Sequence, residues 1–332
     1  MKAILKKLIM AAALVAVMAG VITGCGSKKN DSNVAKNSGD TFTVGFDAEF
    51  PPYGYKDDSG EYVGFDLDLA AEVCSRNGWT LVKQPIEWES KDMELNSGMI
   101  DCIWNGFTMD GREKEYTWST AYVDNSQVVV VKKNSGITKL SDLAGKNVIV
   151  QSDSSALAAF TGEDADEENI RLAASFKSLQ QVGDYNSAFL NLDAGSADAV
   201  CMDIGVAKYE VESRGDTFTI LNEHVSSEEY GVGFKKGNTQ LRNQVQETLE
   251  EMLADGSFDS IVQKWGLEES ACLGQPGTDS VMKAEDTVKE KTGFLDNMLD
   301  ILRRFYQECL HHLEYLCLHL YSHFRLDLLL HL

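Results

Sequence analysis

Hydrophobic and polar residues alternate along this chain with two different periods, and the changes of period mark out the elements. Positions 41–46 (TFTVGF) follow the two-residue period of a strand, and 55–63 (YKDDSGEYV) read as a hairpin turning at 57–60. From Gly64 (GFDLDLAAEVC) the period lengthens to that of a helix, with Phe65, Leu69 and Val73 on one face. Asp66 is placed to cap this helix, acids collect in its first turn where the helix dipole favours them, and Asn77-Gly78 stops it. A strand at 79–84, a short helix at 90–97 and a strand at 100–104 complete a doubly wound α/β unit.

A second alternating unit follows. Extended segments are expected at 126–131, 146–150, 170–175, 199–202 and 218–221, and helices at 154–160, 178–192 and 204–213. Positions 230–234 (YGVGF) are extended again. Helix 239–254 carries Leu241, Val245, Leu249, Met252 and Leu253 on its apolar stripe, and 258–265 forms a last helix.

Candidate chemistry concentrates at 100–115 (IDCIWNGFTMDGREKE). In an α/β unit, the loop leaving the carboxyl end of a strand is where ligands settle. Gly106 allows close backbone approach, the Thr108 hydroxyl can donate or accept, and Arg112 can fork onto a carboxylate. A plain β-turn followed by a surface arginine fits the same residues. The acidic run 162–169 (GEDADEEN) lacks the ordered array of a calcium loop and reads as a solvated turn; no metal site and no cofactor is indicated.

The ends change the picture of where the protein works. Lys2, Lys6 and Lys7 precede an apolar run over 8–22, the length of a secretory leader and short of a membrane span. The run closes in ITGC, like the lipobox of a bacterial lipoprotein, which makes 1–24 the leader and Cys25 the lipidated N-terminus. Residues 25–40 are small and polar, a flexible tether. Such a chain is extracytoplasmic and anchored to the cell membrane by lipid. At 332 residues and 43% apolar content there is room for two cores. A net charge of −22 repels phosphate backbones, which excludes nucleic acid as a partner. Cys74, Cys102 and Cys201 sit among apolar neighbours as free thiols do, without disulfide or zinc spacing.

GFDLDLAAEVC, the Asp47-x-x-Phe50 spacing and NGFT-x-x-GR, in that order, resemble the polar amino-acid solute-binding proteins that feed ABC importers, over about 42–267. The resemblance implies a two-lobed periplasmic-binding-protein-like fold of type II with two hinge crossings. Residues 41–270 would form the binding domain, with lobe one at 41–123 and 228–270 and lobe two at 126–225. It places Arg112 on the ligand carboxylate, with backbone N–H groups near Thr108, Ser154 and Ser155. Asp203, the Thr108 hydroxyl and a carbonyl at Asn105 or Gly106 fall on the ammonium, Phe50 and Trp88 sandwich the ligand, and Asp47 and Gln151 face its side chain. The family often has a basic residue at the position of Gln151; its loss, with Asp47 and Asp153 close by, favours a polar neutral amino acid such as glutamine or cystine, a basic one being the other option. The partners implied are a small amino acid and a membrane permease, and no catalysis.

Residues 271–332 depart from this plan. A polar linker leads into an amphipathic segment interrupted by charges, too broken to span a membrane, that holds His311, His312, His319, His323 and His331 with Cys309 and Cys317. His319 and His323, four apart on one helical face, have the spacing of a metal-binding pair, but a compositional accident is the preferred reading; the tail as a whole fits a truncated or frameshifted permease start. Two rival functions stand beside the transport reading: a ligand-sensing lipoprotein on the same fold, and a small dehydratase-like enzyme, for which Asp47 is the one spare titratable group.

Overall fold

Strand-forming alternation in the first unit yields β1 (Thr41–Phe46), followed by the short strands β2 (Glu49–Phe50), β3 (Gly54–Lys56) and β4 (Tyr62–Val63), which form a small sheet of their own. Helix α1 (Phe65–Asn77), β5 (Thr80–Pro85), α2 (Lys91–Ser97), β6 (Cys102–Ile103) and β7 (Tyr116–Trp118) follow. The chain then crosses on β8 (Val123–Lys132) into a second unit of β9 (Asn147–Gln151), α3 (Ser155–Thr161), α4 (Glu167–Ser175), β10 (Ser178–Val182), α5 (Tyr185–Ala194), β11 (Ala199–Asp203) and α6 (Ile204–Ser213). It returns on β12 (Phe218–Tyr230) to β13 (Gly233–Lys235), α7 (Thr239–Asp255) and α8 (Ser257–Trp265). This is a computed structural model, and it describes residues 33–284, 286–287, 298–299 and 303. The expected leader, Cys25 and the histidine-bearing tail lie outside the described residues.

Each unit is a five-stranded sheet, β5-β1-β6-β13-β7 in one lobe and β10-β9-β11-β8-β12 in the other. In the first, β1 runs parallel to both β5 and β6, and β13 joins antiparallel. In the second, the run Val128 to Val131 on β8 is fully buried, as a strand covered on both faces must be. The long strands β8 and β12 pair antiparallel from Val123 opposite Tyr230 to Lys132 opposite Phe218. They form the double crossing between the lobes, which the amide of Asp124 reinforces by donating to the carbonyl of Ser270 at 2.7 Å.

Four expectations give way. Positions 170–175 are helix, not strand: α4 begins at Glu167 with two acids in its first turn, and IRLAAS continues the helix. Positions 178–182 are strand, not helix, because SLQQV finds a parallel partner in β9; the helix starts only after Gly183, capped by the Asp184 carboxylate accepting from the Ser187 amide at 2.7 Å. Asp66 does not cap α1, which begins one residue earlier after Gly64. It is fully buried and accepts the Gly106 amide at 2.6 Å. Finally, the last part of the tether is held: the amides of Val34 and Lys36 donate to Asn238 and Gln244 on and beside α7.

Candidate functional site

Three strand ends and the double crossing meet where the lobes face each other. Asp203 closes β11 and is 3% exposed. Its Oδ1 accepts from Tyr230 Oη at 2.6 Å and from the amide nitrogens of Asn125 and Gln127, both at 2.8 Å; its Oδ2 accepts from Tyr185 Oη at 3.2 Å. Glu228 on β12, also buried, lies against the same two amides, its Oε1 accepting from Asn125 at 2.6 Å and Gln127 at 2.8 Å. The same oxygen accepts from Thr108 Oγ1 of lobe one at 2.9 Å and Ser155 Oγ of lobe two at 3.2 Å. Every one of these donors is neutral. Burial raises both carboxyls, and the charge of Asp203 helps push Glu228 up to about 7.

Asp47, at the end of β1, makes a second interlobe contact. Its Oδ2 accepts from Gln151 Nε2 at 2.7 Å, and Gln151 also donates to the Gly183 carbonyl at 3.0 Å. The Asp47 amide donates to Asn105 Oδ1 at 2.8 Å. Burial pushes the Asp47 carboxyl up to about 6, against the opposing pull of hydrogen bonds from Glu49 and Gln151. Asn105 thus positions Asp47. Gly106 needs to be glycine: its φ is +55°, and a Cβ there would come within 2.9 Å of the rings of Phe50 and Tyr230.

Toward the cleft mouth the charges reverse. Half-buried Arg112 donates to the carbonyls of Thr108 and Asp153, each at 3.3 Å, and stacks over Phe107 with its guanidinium carbon 5.4 Å from the ring centre. Among the described residues it bonds carbonyl oxygens and no carboxylate. Asp153, in the β9–α3 turn, has left-handed backbone at φ +56°. It is gripped from lobe one three times: by Arg112, by Trp88 Nε1 donating to its carbonyl at 3.2 Å, and by an ion pair between its carboxylate and the 1%-exposed Lys91. Ser154 caps α3, accepting from the Leu157 amide at 3.1 Å. The open cleft here is about 480 Å³, and Arg112, Asp153, Ser154, Ser155 and Glu228 are among the residues that line it.

The residues picked out from sequence therefore converge on the lobe interface, in two groups. Arg112, Ser154 and Ser155 border the open cleft, whereas Asp47, Phe50, Trp88, Gln151 and Asp203 are outside its lining. Phe50 packs on Tyr53 and Tyr185 at 5.7 and 5.9 Å, and Trp88 stands edge-on to Phe107 at 5.5 Å, so the two rings belong to different clusters. Sequence reasoning missed Glu228, Asn125, Gln127, Tyr185, Tyr230 and Lys91. Nothing in SSEEY distinguishes Glu228 from Glu229; only the alternation along β12 turns the former inward.

A double-crossed pair of α/β lobes with convergent charged groups at the carboxyl ends of its strands is the architecture of a two-lobed solute receptor. Residues 42–268 match the bacterial extracellular solute-binding proteins, family 3, and the chain belongs to that family. It is 28% identical over 263 residues to the L-cystine-binding protein TcyJ of Escherichia coli, covering 78% of this chain and 95% of that protein. To the ABC transporter glutamine-binding protein GlnH of Bacillus subtilis it is 29% identical over 282 residues, covering 80% and 99%. Among solved structures it is similar to a substrate-binding protein of an ABC uptake transporter from Streptococcus pneumoniae with bound histidine, at 35% identity and a TM-score of 0.65, covering 70% of this chain and 94% of that one. Membership makes this an extracellular binding protein rather than an enzyme, which sets the dehydratase alternative aside.

Proposed function

We propose that this protein captures a free amino acid outside the cytoplasm and delivers it to the membrane permease of an ABC importer. The observation that carries the reading is the separation of charge across one interlobe site: an arginine facing only neutral carbonyls on one side, two buried carboxylates held only by neutral donors on the other. A zwitterion complements that arrangement, and an ion of one sign does not. The similarity to proteins named for cystine and glutamine, and to a solved structure with bound histidine, supports an amino acid as the ligand. The carboxylate pairs with Arg112, with the amides at Ser154 and Ser155 beside it. The ammonium falls to Asp203, Thr108 and the carbonyls at 105–106, and Phe50 and Trp88 enclose the apolar stem.

Because Asp203 and Ser155 belong to one lobe and Thr108 and Arg112 to the other, the ligand gains its full set of bonds only with the lobes together. Closure is thereby favoured, and the closed form is the one a permease recognises. The wall formed by Asp47 and Gln151 offers both acceptor and donor groups, which favours a polar neutral side chain. Lipid on Cys25 keeps the receptor near its permease, and mass spectrometry of the mature N-terminus checks it. The functional test is a thermal-shift screen of the twenty amino acids and L-cystine. A binder raises the midpoint by mass action, and Arg112→Ala is expected to weaken every binder at least about thirtyfold, a loss of ~2 kcal/mol. A folded protein that no amino acid stabilises would overturn the proposal.

A further inference from the structure

The double crossing carries an acid that the amino-acid reading, on which this inference rests, does not use. Asp203 alone offers one negative charge to one ammonium. Glu228 adds a second beside it, and both acids accept from the same two nitrogens, Asn125 Nδ2 and Gln127 Nε2. Those two amides turn their NH2 groups to the carboxylates and leave Asn125 Oδ1 and Gln127 Oε1 buried with no donor among the described residues. Buried acceptors without donors are costly, and a cation with several N–H groups is what satisfies them. Two ionised carboxylates this close repel each other, so the pair holds a proton when no cation is near.

We propose that Glu228 is a second ammonium-binding carboxylate, and that the ligand's ammonium displaces a proton held by the Asp203–Glu228 pair. The exchange balances: the singly protonated pair plus R–NH3+ becomes the doubly ionised pair holding R–NH3+, and one H+ passes to solvent. Ligand capture is therefore coupled to proton release, and acid conditions favour letting the ligand go. Glu228 touches both lobes through Thr108 and Ser155, so the same ionisation alters the contact that closure makes.

The groups around Glu228 leave few other sources for that proton. Asp203 and Cys201 on β11, Tyr185 on α5, Tyr53 ahead of α1 and Tyr230 on β12 surround it, and burial raises all four of the thiol and phenol groups, keeping them neutral near pH 7. Along the cleft wall Glu228 shares with Arg112, Asp110 and Asp153, the arginine stays charged throughout. With Glu228 pushed up to about 7, the release approaches one proton at pH 6 and falls toward zero at pH 8.

The test is isothermal titration of the intact protein with the amino acid giving the largest thermal shift, at pH 6 and pH 8, in two buffers of different ionisation enthalpy. The expected result is release of close to one proton at pH 6 and about tenfold weaker binding there than at pH 8. Glu228→Gln should bind with little release and with nearly equal affinity at the two pH values. Wild-type binding without proton release overturns the inference while leaving the amino-acid reading intact, and this arm needs no variant to fold. Release that survives in Glu228→Gln also overturns it, by assigning the proton to another acid, such as Asp47. An absence of any amino-acid binding defeats the functional proposal itself.

Discussion

The two ends of the interlobe site hold their charges in opposite ways. At the hinge, Asp203 and Glu228 are buried among neutral donors, and their ionisation is suppressed by burial and by each other. At the mouth, Arg112 bonds carbonyl oxygens of both lobes, and Lys91 pairs with the half-exposed Asp153 carboxylate. In the proposed reading the hinge end is the place for the ligand's ammonium. At the mouth end Trp88, Lys91 and Arg112 join the lobes at Asp153, and Arg112, bonded to carbonyls alone, is left for the carboxylate of the proposed ligand. Each end thus holds one charge of the proposed ligand, and each also carries a contact between the lobes.

The largest effect that could break this comparison comes from Asp203→Asn. The amide keeps the shape, and the Tyr185 hydroxyl can turn to accept from it, so the fold should survive. Ligand affinity should fall more than about thirtyfold, ~2 kcal/mol or more. At the same time the melting temperature of the ligand-free protein at pH 8 should hold or rise, since a suppressed buried charge is removed. Weak loss of binding by calorimetry, or a large loss of ligand-free stability, would show that Asp203 supports the fold and not the ligand.

Next in size is the pH dependence of the ligand-free protein. Burial pushes Asp47 up to about 6, and Asp66 and Glu228 up to about 7. A carboxyl raised in the folded state contributes its stability fully below its ordinary value near 4, and loses it as pH rises through the folded value. The ligand-free melting temperature should therefore drop by several degrees between pH 5 and pH 8, and saturating amino acid should flatten the slope. A flat profile without ligand would mean that the hinge acids ionise freely.

Smallest is the ion pair that joins the lobes at Asp153. Lys91→Met removes the ion pair to Asp153, whose side chain is half exposed, so the energy at stake is about 1 kcal/mol or less. The expected outcome is a larger radius of gyration by small-angle scattering without ligand, little change with it, and affinity lowered about threefold. If affinity instead collapses, Lys91 belongs with the ligand set and the division between the two ends is wrong.

Local pattern carried much of this architecture. The period change at Gly64, the buried valine run of β8 and the apolar stripe of α7 were all legible, because each depends on residues adjacent in sequence. Where two periods competed, the pairing partner decided: SLQQV became a strand because β9 lay beside it, a fact that lies outside the segment itself. The β6 exit loop likewise announced Gly106, Thr108 and Arg112 as a group, whereas the role of Asp66 as acceptor for the Gly106 amide was hidden by its good position for a helix cap.

What the sequence by itself determined is the family and the two-lobed plan, since these follow from ordered motifs and local periodicity; it also singled out Arg112 and Asp203, the charged residues of the proposed site. What only the tertiary structure decided is the partner of Asp203. Glu228 stands beside an equally acidic Glu229, and the two separate only when β12 pairs with β8 and turns one inward. A buried charge is defined by the groups folded around it, here from β8, β11, β12, α3, α5 and the loop at Thr108 among others, and no local run of residues encodes that environment.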